Sequence, residues 1–273
     1  MLPTVFIDID NTLIVPHHKL SNRNLKALQN YLAAGGEVVF ATGKIPVALY
    51  NLIERLEVKD RYHIGGNGAV LFNLAENKRE LLAHVGNQAE KILLKSRQLN
   101  INGFFYTDEA LYYSDENYQG ERNESFTALE EPIPQAINDI DFNEIVKVLF
   151  FVDATDITFE NHLRFHYEPL FENLNFVRTA DYLLEIHHKN QTKGLAASRY
   201  AEIFELDLKD AYAIGDSDND LPLLQAVGHP YIVENASETL KKHNFSILPS
   251  CADDGVAFLL NQLLTQSTLP KGK

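Results

Sequence analysis

The stretch Thr4-Val5-Phe6-Ile7-Asp8-Ile9-Asp10-Asn11-Thr12-Leu13 decides how the rest of the chain is read. Four β-prone residues run straight into two carboxylates spaced i, i+2. An apolar run without alternation predicts a strand buried on both faces, as in a parallel sheet. Strand geometry would turn Asp8 and Asp10 to one side and Ile9 to the other. Two carboxylates held together at a buried strand end repel unless a cation or a shared proton relieves them. Mg²⁺, a hard ion that takes oxygen ligands, is the expected relief. The carboxyl edge of a parallel sheet is also where open α/β sheets bind ligands. A surface turn whose Asp, Asn and Thr merely end a strand would look the same in isolation. The flanking segments have to decide.

Downstream, Ser21 or Asn22 can cap a helix with Leu25, Leu28 and Leu32 on one face, closed by Gly35-Gly36. Residues 37–42 read as a second buried strand and 45–56 as a helix. Residues 63–72 are strand-like but broken by Gly65-Gly66-Asn67-Gly68. Strands alternating with helices predict an α/β fold, a Rossmann-like doubly wound parallel sheet. The pattern then changes. A helix over 87–99, a hairpin of 103–107 and 110–114 turning at Asp108-Glu109, a strand over 145–152, a helix over 156–170 and short strands at 176–178 and 183–187 predict an α+β unit. From Thr192 onward helices and strands alternate again. The expected organisation is an α/β core of residues 1–81 and 187–273, interrupted by an inserted α+β cap at 82–186.

Bulk properties narrow the function. At 273 residues with 45% hydrophobic composition, the chain has material for about two domains. No run approaches the ~18 apolar residues of a membrane span. The N-terminus enters a strand without a basic-then-apolar leader, which leads to the expectation of a cytoplasmic protein. One cysteine, Cys251, excludes a disulfide framework and a multi-Cys metal site. The 24 Lys plus Arg against 38 Asp plus Glu, net −14, argue against nucleic acid or an anionic membrane as the partner. Residues 82–186 hold 19 acidic and 7 basic side chains, so most of that charge lies in the insert.

Three further strand-end clusters carry chemistry. Ala41-Thr42-Gly43-Lys44 can present a hydroxyl and backbone N–H groups to an anion. It is not a Walker A loop, because the Gly36–Gly43 spacing is wrong and Ile45 follows the Lys. Lys193, in Gln191-Thr192-Lys193-Gly194, opens a helix, where a cation opposes the dipole and calls for a compensating anion. Gly215-Asp216-Ser217-Asp218-Asn219-Asp220 offers three carboxylates and an amide after a buried strand, a set suited to a hard cation. An EF-hand is excluded, since Leu221 and Val227 stand where Gly and Glu are required. Gly66-Asn67-Gly68 fails the dinucleotide pattern at Leu71 and reads as a tight turn that can bring backbone close to a ligand.

Asp8-Ile9-Asp10-Asn11-Thr12-Leu13, Thr42-Gly43, Lys193-Gly194 and Gly215 to Asp220 together resemble, in order, the four motifs of the haloacid dehalogenase superfamily of phosphatases. Asn67-Gly68-Ala69, Asn235-Ala236, Asp254-Gly255-Val256 and the position of the insert are similar to its Cof-type subfamily IIB. The resemblance implies a Mg²⁺-dependent phosphatase acting on small phosphate esters such as sugar phosphates. It implies Asp8 as nucleophile and Asp10 as the acid that protonates the leaving oxygen and then the base that activates water. Ile9, Thr42, Gly43, Lys193 and Asn219 would hold the phosphoryl oxygens. The metal would bind Asp8, the carbonyl of Asp10 and Asp216, with Asp220 orienting Lys193 or metal-bound water. Asn11, Lys44 and Leu223-Leu224 depart from the usual Gly, Arg and Met-Leu. Asn tolerates left-handed backbone, so the first loop should survive.

A phosphotransferase or phosphomutase would share every core residue, and a non-catalytic metabolite-binding regulator is the reading from another class. Dehalogenation needs neither Asp10 nor the acidic cation site. His17-His18 and His187-His188 are secondary candidates for a cleft, although adjacent His on a strand point to opposite faces. Phe104, Phe105, Tyr106, Tyr112, Tyr113 and Tyr118 read as packing of the insert's hairpin.

Overall fold

Thr4 to Ile7 form strand β1 (Thr4–Ile7), and every residue after Thr4 is buried. The structure, a computed structural model, describes residues 2–15, 20–115, 134–138, 140–152, 157–180 and 183–268. His17, His18 and Tyr118 lie outside them. The chain divides into two units. One comprises Met1–Gly43, Tyr50–Glu80 and Thr192–Lys273, and the other Lys44–Leu49 and Leu81–Gln191.

In the first unit, helix α1 (Asn22–Ala33) follows β1 and starts where Ser21 Oγ accepts a hydrogen bond from Asn24 N at 3.0 Å. Its inner face is Asn24, Ala27, Leu28 and Tyr31, shifted from the predicted Leu25, Leu28 and Leu32. The buried amide of Asn24 explains the shift. It donates to Leu13 O at 3.1 Å and accepts from Ala257 N at 2.9 Å, so a polar residue outcompetes two leucines for the interior. Gly35, at φ 84°, turns the chain out of the helix.

Strand β2 (Glu37–Phe40) pairs parallel to β1. It ends two residues short of the predicted limit, and Ala41 makes only an isolated bridge to Ile64. Helix α2 (Tyr50–Arg55) comes next, after a 3₁₀ turn at Pro46–Leu49. The third predicted strand is two. Strands β3 (Tyr62–Gly65) and β4 (Val70–Asn73) run antiparallel and form a separate three-stranded sheet with β5 (Lys78–Leu81). Gly66, Asn67 and Gly68, at φ 58°, 54° and 93°, turn left-handed in succession and reverse the chain.

The second unit contains α3 (Gln88–Leu99), then β6 (Phe104–Tyr106) and β7 (Leu111–Tyr113), the predicted hairpin. Two-residue β8 (Gln135–Ala136), β9 (Lys147–Phe151), α4 (Ile157–Tyr167), β10 (Leu174–Ala180) and β11 (Leu183–His188) follow. The sheet order is β10-β11-β9-β6-β7-β8, antiparallel except for β7 with β8. Phe105, Val148, Phe150, Leu184 and Ile186 share its core with Ile92, Leu163 and Tyr167. Other sheet residues form a buried polar group, in which Lys147 Nζ lies 3.3 Å from Glu185 Oε2 and His187 Nδ1 lies 3.2 Å from Glu185 Oε1. Because β11 runs to His188, the return to the first unit falls between Gln191 and Thr192.

Back in the first unit, α5 (Lys193–Phe204), β12 (Tyr212–Gly215), α6 (Leu221–Ala226), β13 (His229–Val233), α7 (Glu238–Lys241), β14 (Ser246–Leu248) and α8 (Gly255–Thr268) follow in turn. The main sheet has the order β14-β13-β12-β1-β2 and is parallel throughout, the predicted α/β architecture. β1 lies between β12 and β2, so the clusters that follow these strands converge on one sheet edge.

Candidate active site

β1 stops at Ile7, and Asp8 N makes a last ladder bond to Ile214 O at 3.0 Å. The chain then closes a tight loop. Leu13 N and Ile14 N both donate to Ile9 O, at 2.9 and 2.8 Å, while Asn11 adopts φ 60°. Asp8 and Asp10 therefore lie just past the end of β1, Asp10 in an isolated bridge with Ile14 ahead of the turn at 11–13. Asp8 and Ile9 are buried and Asp10 is half-buried.

Thr192 caps α5 by accepting Leu195 N at 3.1 Å, which makes Lys193 its first residue. The Lys193 side chain is 0% exposed, and its Nζ donates to Asp8 Oδ1 and Asp220 Oδ1, both at 2.6 Å. Asp220 reaches that position through a backbone clasp, its Oδ2 accepting from Asp216 N at 3.0 Å and Ser217 N at 3.1 Å. A Cβ on Gly215 would come within 2.5 Å of Asp220 Cγ, so only glycine leaves room for the clasp. Asp216 Oδ1 accepts from Thr12 Oγ1 at 3.2 Å. Asp218 faces elsewhere, accepting from Ser237 Oγ at 2.7 Å.

Burial raises the pKa of Asp8 well above the ordinary carboxylate value; Lys193 opposes this, and Asp220 and Asp216 reinforce it. Asp216 is pushed up to about 6, first by burial and then by Asp220. Burial alone would lower Lys193, but Asp220 and Asp8 outweigh it and hold the ammonium charged. Three buried carboxylates share one buried cation, which leaves a local excess of negative charge. Asp8, Asp216 and Asp220 each offer an oxygen, all within 4.8 Å of one another, and this hard-donor set fits a divalent cation. Asp10 is not a member of that carboxylate set.

Thr42 is buried after β2, with its N–H on Ile64 O at 3.0 Å, and Gly43 follows. Asn219 is exposed, and its Nδ2 donates to Asn67 Oδ1 at 2.8 Å. Asn67, read from sequence as part of a turn that can approach a ligand and within the segment Asn67-Gly68-Ala69 that carries the resemblance, is thereby bonded to Asn219; no role for its side chain was read. Thr12 and Asn235, quoted from sequence only within the motifs that carry the resemblance and given no role there, are further supports. Asn235 Nδ2 donates to Asn11 O at 2.8 Å, and its Oδ1 accepts from Cys251 N at 2.7 Å. Cys251 is itself buried, and burial, with Asp216 and Asp254 nearby, lifts its thiol to about 12. His187 and His188 lie in the second unit, His187 beside Glu185 and His188 Nδ1 accepting from Asn190 N at 3.1 Å.

The site is thus a buried Lys–carboxylate cluster at the carboxyl edge of a parallel sheet, and sequence comparison identifies the family that carries it. The profile of haloacid dehalogenase-like hydrolases matches residues 5–260, and the chain belongs to that family. It is 27% identical to the 5-amino-6-(5-phospho-D-ribitylamino)uracil phosphatase YwtE of Bacillus subtilis, covering 96% of this chain and 98% of that protein. It is 26% identical to an HMP-PP phosphatase of Escherichia coli O6:H1, covering 96% of each. The fold is shared with a haloacid dehalogenase-like hydrolase from Bacteroides thetaiotaomicron at a TM-score of 0.83 and 22% identity, covering 96% of this chain and 100% of that one. Among the described residues no helix is long and apolar enough to cross a membrane.

Proposed function

We propose that the chain is a Mg²⁺-dependent phosphomonoesterase that hydrolyses small phosphorylated metabolites through a phosphoaspartate on Asp8. The observation that carries this reading is the buried ammonium of Lys193 held between Asp8 and Asp220, with Asp216 alongside. The small phosphate esters in the names of the two bacterial relatives support the substrate class. Selection among such esters is assigned to the insert, residues 82–186.

Asp8, Asp216, Asp220 and the carbonyl of Asp10 would hold the ion, which supplies positive charge for the phosphoryl oxygens. Lys193, Thr42, the N–H groups of Ile9 and Gly43, and Asn219 hold those oxygens from the protein side. In the first half-reaction a carboxylate oxygen of Asp8 attacks phosphorus, the ester P–O bond breaks, and Asp10 gives its proton to the departing oxygen. In the second, Asp10 takes a proton from water, the water oxygen bonds to phosphorus, and the acyl-phosphate bond breaks. Phosphate leaves and Asp8 is regenerated. Positioning and charge neutralisation dominate such a reaction because its transition state is loose.

The test is a phosphate-release screen over a panel of sugar phosphates, nucleotides and other small esters, with Mg²⁺ and with a chelator. Metal-dependent release from at least one ester is expected. Transfer to an added acceptor without release to water would indicate a phosphotransferase. Tight binding without turnover would indicate a regulator.

A further inference from the structure

The left-handed turn Gly66–Gly68 touches three segments of the proposed anion site. Asn67 N donates to Thr42 O at 2.9 Å, which fixes the turn to the loop after β2. A Cβ on Gly68 would fall 2.0 Å from Thr192 O and 2.9 Å from Lys193 N, so the turn is pressed against the start of α5. A Cβ on Gly43 would meet Asn67 Oδ1 at 3.0 Å and Nδ2 at 3.3 Å, so the amide of Asn67 lies against Gly43 itself. The third segment is reached by the 2.8 Å bond that Asn67 Oδ1 accepts from Asn219 Nδ2. Non-glycine residues at φ 54° carry a local cost, and such conformations persist where the surroundings over-determine them.

We propose that Asn67 is a positioning residue of the anion site, orienting the Asn219 amide toward the phosphoryl oxygens while its own NH₂ group adds to the donor rim beside Gly43. One hydrogen of Asn219 Nδ2 is taken by Asn67 Oδ1, and the second is then directed by the plane of the amide. Without this acceptor the exposed Asn219 side chain would rotate freely and would have to be ordered on binding. The residue type follows from two demands. Only Asn or Asp combines tolerance of the left-handed region with a short acceptor, and Asp would bring negative charge to an anion site.

The inference rests on the phosphatase reading, so its test uses equilibrium binding of inorganic phosphate to the Mg²⁺-loaded protein, followed by calorimetry. If the wild-type protein binds no phosphate, the phosphatase reading fails first. If it binds, Asn67→Gly, which keeps the backbone conformation and removes the amide, is expected to weaken phosphate about tenfold. Asn219→Ala should have a similar effect, and the double variant should lose less than the sum of the two single losses, because one residue acts in part through the other. Asn67→Asp keeps the shape and covers the case in which Asn67→Gly does not fold; it should bind phosphate more weakly still. Wild-type affinity in Asn67→Asp, or fully additive losses in the cycle, would overturn the proposal.

Discussion

On the proposed mechanism Asp8 makes the sharpest demand of any single residue, since it would have to be a bare carboxylate at the moment of attack although burial favours its protonated form. Lys193 reconciles the two by holding an ammonium 2.6 Å from Oδ1. Asp8→Asn keeps the shape and loses the nucleophile, so kcat should fall by several powers of ten with the circular-dichroism spectrum unchanged. Lys193→Ala and Asp216→Ala should fail for different reasons. Raising Mg²⁺ should partly restore Asp216→Ala, whose defect on the proposed reading is a lost ligand, and should leave Lys193→Ala unrepaired. Equal rescue of both would sink this division. Asp10 is tested by its leaving group. In Asp10→Asn, p-nitrophenyl phosphate needs no proton on departure while an alkyl ester does. Rapid quench should show a burst of nitrophenol ahead of phosphate with the aryl ester and no burst with the alkyl one. Simultaneous appearance of both products would reduce Asp10 to a structural residue.

At the scale of elements, the buried amide of Asn24 joins the first loop to α8 through Leu13 O and Ala257 N. Asn24→Ala would leave both backbone groups buried without that partner, and denaturant unfolding should show a loss of about 2–3 kcal/mol. Asn24 also marks where sequence reading reached its limit. Periodicity and local chemistry located α1, with Ser21 or Asn22 as its cap, of which Ser21 is the one used, and Gly35-Gly36 as its exit. Periodicity chose the wrong inner face, because a polar residue with two distant backbone partners cannot be told from a surface one by type. The main sheet and the insert's hairpin were legible from apolar runs and turn residues. The split of 63–72 into β3 and β4 was not, since one glycine-rich break permits either a bulge or a reversal. The short β8 pairs through only two residues, too few for any pattern to show. The acidic clusters were legible as clusters. Their assembly by the Asp220 clasp depends on a 2.5 Å clearance at Gly215, a property of the folded backbone alone.

For the whole molecule, the site is a source of instability that a bound ion would relieve. Asp8 and Asp216 have folded-state pKa values raised above the ordinary carboxylate value, Asp216 to about 6. A raised carboxylate contributes fully to stability below its unfolded pKa, and that contribution is lost as pH rises through the folded value. The metal-free protein should therefore lose stability from Asp216 between about pH 4 and 6, and from Asp8 as pH rises above its ordinary carboxylate value. On the proposed reading Mg²⁺ would bind the ionised forms, and it should then raise the melting temperature more at pH 7 than at pH 5. Thermal melts with magnesium and with chelator at both values check this, and an equal shift at the two would contradict it. Cys251, the chain's one cysteine, is buried with its thiol near 12, and the sequence contains no tryptophan. The native protein is thus close to silent toward thiol reagents and dark in indole fluorescence. A cysteine or tryptophan placed on either unit would report from its own position alone, which makes the natural chain a ready background for labelling and distance measurements in solution.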